Sequence, residues 1–164
     1  MDKYYYFVAQ LPVLFFDKES DLALETFLQE AQKWLGAGDF RILSASVLNN
    51  ISGGENAPEV LKTYSAFEEA LQHDIARWRQ AHRASQEYKP LSFPLSIIKE
   101  GNPLEVEKKL LALRWHFLND LETGHHFDVE FLILYFIKLQ ILHRLAKFNK
   151  EKGLRVFQSL CDVT

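Results

Sequence analysis

A single cysteine, Cys161, in 164 residues excludes an intramolecular disulfide and a cysteine-only zinc cage. So little thiol also suits a reducing compartment, and a cytoplasmic setting is expected. Basic charge is not in excess. Nineteen lysines and arginines face 22 aspartates and glutamates, a formal charge of −3. That argues against non-specific nucleic-acid binding, which depends on counterion release at a basic surface. Met1 is followed by Asp2 and then aromatics, with neither a basic n-region nor a cleavage site, so no signal peptide is expected. HExxH, GxSxG and phosphate-loop patterns are missing, as are low-complexity segments and exact repeats. What is present is 48% hydrophobic and 25% charged residues. That balance suits one folded domain, 1–164, with a proper core.

The residues from Asn102 to Gly153 read as two long helices and a tight loop. Asn102 can cap the first, Pro103 suits its first position, and Glu105 completes a capping box. Gly124 can close it in the left-handed conformation. Asp128 can cap the next helix, with Phe127 and Leu132 at the spacing of a hydrophobic staple. Gly153 is expected to stop that helix after Lys147, Lys150 and Lys152, which suit the negative end of its dipole. The run FLILYFI, Phe131 to Ile137, is apolar on every face, which means burial in a core or in a membrane. A span needs about 20 apolar residues. Lys138, Gln140, His143 and Arg144 interrupt too soon, so the helix is read as central in a bundle.

Upstream, the aromatic run Tyr4 to Val8 reads equally as a short strand or a short buried helix. Ser20 can cap a helix from Asp21 to Leu35, with Leu24, Phe27, Leu28, Ala31 and Leu35 on one face and Gly36 ending it. Asp39 can cap a further short helix reaching Leu48. The loop 49–56 holds Gly53 and Gly54, and Asn56 with Glu59 reads as a second capping box. A stripe of Val60, Tyr64, Phe67, Leu71, Ile75 and Trp78 predicts a helix reaching Arg83. The segment 85–101, with Pro90 and Pro94, reads as an extended connector packing through Leu91, Phe93, Leu95, Ile97 and Ile98. The tail from Leu154 suits one last short helix. Sub-parts 1–84 and 102–164 thus flank a connector. Long helices on short turns predict an all-α, elongated bundle of antiparallel helices.

Candidate chemistry is sparse. His125 and His126, near Glu122 and Asp128, are zinc-ligand types, but adjacent histidines seldom converge on one ion, so no metal or other cofactor is expected. Glu105 and Glu107 point to different faces, and Glu68 and Glu69 read as a solvated face. Arg77, Arg79, His82 and Arg83 suit a helix C-terminus. His143 reads as a satisfied boundary histidine and Cys161 as inert. Trp34, Trp78 and Trp115 lie near apolar stripes and read as core. Arg77, Glu107, Arg114, Lys138 and Arg144 each place a charge beside a core stripe, where it needs a counterpart or faces a groove.

Three stretches, KYYYFVAQLPVL, FEEALQHDIARWRQAHR, and NPLEVEKKLL with FDVEFLILYFIKLQILHRLAKFNKEKG, together resemble an uncharacterised bacterial family encoded beside V/A-type ATPase subunits. They are more weakly similar to the all-helical C (or d) subunit of that rotary ATPase, which seats the rotor stalk on the membrane ring. Pro103, Leu104, Glu105 and Glu107 match a PLExE motif. Phe127, Asp128, Leu132 and Tyr135 match the apolar helix that follows it. Gln72 and His73 stand where the family pattern has an Arg-Asn pair, and relatives are expected to be longer. The resemblance implies a non-catalytic component that docks a stalk or ring, with V/A-type ATPase subunits as partners and a peripheral place at the inner membrane face through the complex. The five charges above are then its candidate partner-binding residues. The alternatives are a helical adaptor with an unrelated partner and a small metalloenzyme built on His125 and His126.

Overall fold

The apolar faces fold as helices throughout. The computed structural model describes residues 3–99 and 101–162, and among these residues no strand is present. The α-helices are α1 (Tyr5–Gln10), α2 (Leu24–Trp34), α3 (Ala37–Ala45), α4 (Glu59–Arg83), α5 (Ser96–Lys99), α6 (Pro103–Glu122) and α7 (Val129–Cys161). The fold is all-α. The chain groups into two compact units, residues 1–48 with 124–164, and residues 49–123. The units follow contacts rather than chain order. No helix among the described residues is long and apolar enough to cross a membrane.

The first unit is built on α7. Leu132 to Leu139, eight consecutive residues, are all buried. Because they cover more than two helical turns, every face of that stretch is covered. Within the unit, α7 packs against α2 and α3, and α2 packs against α3. Phe27 of α2, fully buried, lies 5.7 Å from the Phe7 ring, 5.5 Å from Tyr135 and 5.6 Å from Phe136. The aromatic run near the N-terminus is therefore helical rather than extended, and Phe7 is its buried face.

Polar side chains of α7 fasten the surrounding loops. The Tyr135 hydroxyl donates to the Pro12 carbonyl at 2.6 Å. Gln140 donates to the Ser46 carbonyl at 2.8 Å and accepts from the Leu48 amide at 2.8 Å, so both ends of its amide are used. His143 Nε2 lies 2.8 Å from the Leu22 carbonyl, the satisfied boundary histidine expected. Tyr4 is tied twice, its amide to the Phe127 carbonyl at 2.9 Å and its hydroxyl to Asp39.

The second unit packs α4, α5 and α6. Leu71, Ile75, Phe93 and Leu110 form its buried centre, with Phe67, Ile97, Ile98, Val106 and Leu113 against them. Phe67 and Phe117 stack at 4.0 Å. Gly53 explains part of the 49–56 loop, since a Cβ there would come within 3.1 Å of the Lys62 Cα and the Ser65 Cβ. The glycine permits a close approach to α4.

Several expected boundaries move. Asn102 caps α6, its Oδ1 accepting from the Glu105 amide at 2.9 Å, and Asp128 caps α7 through the Phe131 amide at 2.9 Å. Ser20, however, accepts only from the Leu22 amide, and α2 starts at Leu24 with Ala23 as its N-cap. Gly36 precedes α3 as its N-cap, and Asp39 sits inside that helix. Pro58, not Asn56, precedes α4. Gly153 does not stop α7, which continues to Cys161. A glycine inside a helix costs about 1 kcal/mol relative to alanine, too little to break an established helix. Leu91 is 93% exposed and does not join the connector's packing, and Trp34 is 43% exposed while Trp115 is buried.

Phe27→Ala should lower the unfolding free energy by about 3–5 kcal/mol, because it empties the space between three aromatic rings. Urea titration followed by circular dichroism reads this. A loss below about 1 kcal/mol would show that the site collapses or that the packing is looser than described.

Candidate interaction surfaces

The strongest electrostatic arrangement lies between α4 and α6. Arg114 is 8% exposed. Its Nε donates to Glu68 Oε2 at 2.9 Å and its NH2 to Glu68 Oε1 at 2.8 Å, a bidentate pair. Gln72 Nε2 adds a bond to Glu68 Oε1 at 2.9 Å, and the Tyr64 hydroxyl donates to Oε2 at 3.3 Å. Burial alone would raise the Glu68 carboxyl, but the Arg114 bonds and charge hold it below its ordinary value. Burial likewise opposes the Arg114 charge, and Glu68 more than restores it. The Tyr64 hydroxyl is pushed well up, first by burial and then by the Glu68 charge. Glu68 is thus part of a half-buried network rather than a solvated face.

A second polar hub lies further along α4. Asp74, 5% exposed, accepts from the Tyr88 hydroxyl at 2.8 Å, the Leu91 amide at 3.0 Å and the Ser92 amide at 2.7 Å. Burial would raise its carboxyl. The bonds from Ser92, Tyr88 and Leu91 outweigh that and lower it to about 2. This aspartate pins the connector to α4, accepting from the Leu91 backbone amide while the Leu91 side chain stays exposed.

The five charges singled out by sequence are divided. Arg77 is exposed on α4. Glu107 is half-buried on α6 and adds its charge to the field that raises the Arg114 pKa. Those three belong to the second unit. Lys138, 7% exposed, and Arg144, whose guanidinium lies 5.6 Å from the Phe148 ring centroid, belong to the first. Arg114 and Glu107 share one electrostatic neighbourhood, with Glu68 at its centre. Sequence reasoning missed Glu68 and Asp74. A signal existed for both: Tyr64, Glu68 and Gln72 recur at four-residue spacing along one side of the apolar stripe, and Asp74 sits between Leu71 and Ile75 within it.

The histidine loop holds the one metal-compatible grouping found among the described residues. His125, Asp128 and Glu130 bring one ligand atom each within 4.8 Å of one another. His126 is exposed and outside it. Asp128 already spends one oxygen on the α7 cap and sets the other 2.8 Å from His125 Nδ1. The positive end of α7 suits the carboxylates and disfavours a cation. Elsewhere, Trp78 and His82 stack at 5.0 Å along an open cleft of about 820 Å³ that Tyr88, Lys89 and Lys99 also line. Exposed apolar side chains gather at the end of α7, where Leu154, Val156, Phe157 and Leu160 are each more than half exposed.

Arg114→Ala should destabilise the protein by about 3–5 kcal/mol, since it strands a half-buried carboxylate. Replacing both partners with leucine should cost markedly less. Chemical denaturation of the two variants compares them, and equal losses would show that the pair contributes packing alone. Asp74 carries a pH signature. Its folded pKa lies below the ordinary 3.8, so its contribution is complete above that value and fades as pH falls toward about 2. In Asp74→Asn this part of the acid slope should vanish, with a loss of about 1–3 kcal/mol at neutral pH. Urea midpoints measured across the acid range test it, and an unchanged slope would contradict the role given to Asp74.

Residues 84–164 match the model of a family described as "Protein of unknown function (DUF2764)", a span that takes in α5, α6 and α7. No curated protein and no solved structure matches the chain.

Proposed function

We propose that this chain is a non-catalytic component associated with a V/A-type ATPase, acting mechanically by docking a stalk or ring element at the inner face of the membrane. The observation that carries the reading is the nature of the residues behind the family resemblance. Pro103 and Glu105 form the start of α6, and Asp128 caps α7. Leu132 and Tyr135 are core. Caps and core residues hold the shape of α6 and α7, which is consistent with a mechanical part for the matched motifs. The bidentate Arg114–Glu68 pair supports the same reading, because it fixes α6 against α4 with a geometry that a lysine could not reproduce. A helical adaptor with an unrelated partner uses the same physical features. It differs only in what it binds.

Affinity purification of the full chain from its source cells under gentle conditions distinguishes these readings. ATPase subunits should be recovered with it. Arg77→Glu, at an exposed position, should reduce that recovery about tenfold without changing thermal stability. Recovery of a different defined partner would favour the adaptor, and recovery of no ATPase subunit would defeat the proposal. Metal analysis of untagged protein separates the metalloenzyme alternative: stoichiometric zinc lost in His125→Ala would favour catalysis at the histidine loop.

A further inference from the structure

Every residue from Gly153 to Asp162 is exposed, although α7 remains helical to Cys161. The stretch is helical because it extends a helix already nucleated in the core, so it escapes the cost of a first turn. Its side chains, however, are those of a packed surface. At 100° per residue Val156, Leu160, Gly153, Phe157, Cys161 and Leu154 fall in one unbroken arc of about 160°. Such an arc is wider than a helix needs to face a core. Phe157 is 64% exposed and Leu160 69%. Gly153, at the start of the stretch, weakens its helix by about 1 kcal/mol relative to alanine. The result is an apolar helical face that water does not stabilise.

Charge narrows the occupant. Lys147 and Lys150, both exposed, lie one or two turns before the stripe; Lys150 projects about 40° from its centre line, and Lys147, at about 100°, flanks its edge. Asp162 lies on the opposite side, about 160° from that line. The face is therefore apolar along its length and cationic at its N-terminal end. A second copy packed in parallel would set Lys150 against Lys150. A membrane-surface helix carries lysine and arginine across its polar face. Here that face has Gln158, Ser159, Asp162 and one arginine, Arg155.

We infer that the C-terminal stretch of α7, residues 153–161 with Lys147 and Lys150, is a docking face for an amphipathic helix of another protein, one with an apolar stripe and aspartate or glutamate at the end meeting the lysines. The inference is independent of ATPase association, because it specifies the chemistry of a partner helix and not the complex that carries it. Docking is of helix against helix, with Leu154, Phe157 and Leu160 as anchors at three-residue spacing. The partner completes the cover that this part of α7 lacks, and the lysines set its direction.

Fluorescence anisotropy of labelled synthetic peptides tests this with the full chain. One peptide is a helix with a leucine stripe and glutamate flanks, and the other has lysine flanks. The glutamate peptide should bind about tenfold more tightly than its counterpart. Phe157→Asp should weaken it about tenfold, and Lys147→Glu combined with Lys150→Glu should reverse the preference. All three positions are exposed, so the variants should keep the parent circular dichroism and urea midpoint, and a matched melt confirms that any lost binding is local. Equal affinity for the two peptides, or no binding of either, would overturn the inference. So would tighter binding to phosphatidylserine vesicles than to either peptide, or concentration-dependent dimerisation that Phe157→Asp abolishes.

Discussion

The buried stretch of α7 constrains the whole first unit. Eight consecutive residues from Leu132 to Leu139 need cover on all sides, and one of them is the cation Lys138. Each fully buried aliphatic or aromatic side chain contributes roughly 1.5–3 kcal/mol. The chain around α7 is arranged to supply that burial. Phe27 stacks between Phe7, Tyr135 and Phe136, and the hydrogen bonds from Tyr135, Gln140 and His143 to Pro12, Ser46 and Leu22 pull three loop carbonyls onto the same helix. Apolar packing supplies the stability here. The polar bonds decide which loop conformation accompanies it, because an unsatisfied carbonyl in that setting would cost about 1–3 kcal/mol.

The second unit uses buried charge for the same end. Glu68 and Arg114 lie 46 positions apart in sequence and meet as a bidentate pair with Gln72 and Tyr64 completing the carboxylate's bonds. A pair of this kind is poor evidence of net stability, since desolvation consumes much of the attraction. Its value lies in register: only one placement of α6 along α4 satisfies both oxygens. Asp74 does the equivalent for the connector, fixing Tyr88, Leu91 and Ser92 through one carboxylate.

What could be read from sequence was local. The caps at Asn102 and Asp128 are contacts between residues three apart, and the stripes of α2 and α4 are periodicities, so both are visible without tertiary information. The all-α class followed from them. Ser20 and Asn56 carried the same cap chemistry, but the chain entered its helices later, with Ala23 and Pro58 in the cap positions. Gly153 does not end α7 because a glycine's cost depends on whether the helix around it is already held, and α7 is anchored by its buried half. Glu68 departs from its local pattern for a different reason. Its partner comes from a distant helix, and spacing within α4 shows only that it borders the apolar stripe. Arg77, Glu107, Arg114, Lys138 and Arg144 border apolar stripes in the same way, and such a position calls for a counterpart without saying whether a partner protein or the fold itself provides it. For Arg114 the fold does.

Helix α7 is two things in succession, a fully covered core helix and an exposed continuation. Amide hydrogen exchange along that one helix tests this most directly. Amides between Leu132 and Leu142 should exchange only through large-scale unfolding, while those from Leu154 to Cys161 should exchange faster by about three orders of magnitude or more through local fraying. Uniform protection along α7, or rapid exchange within the Leu132–Leu142 segment, would contradict the account.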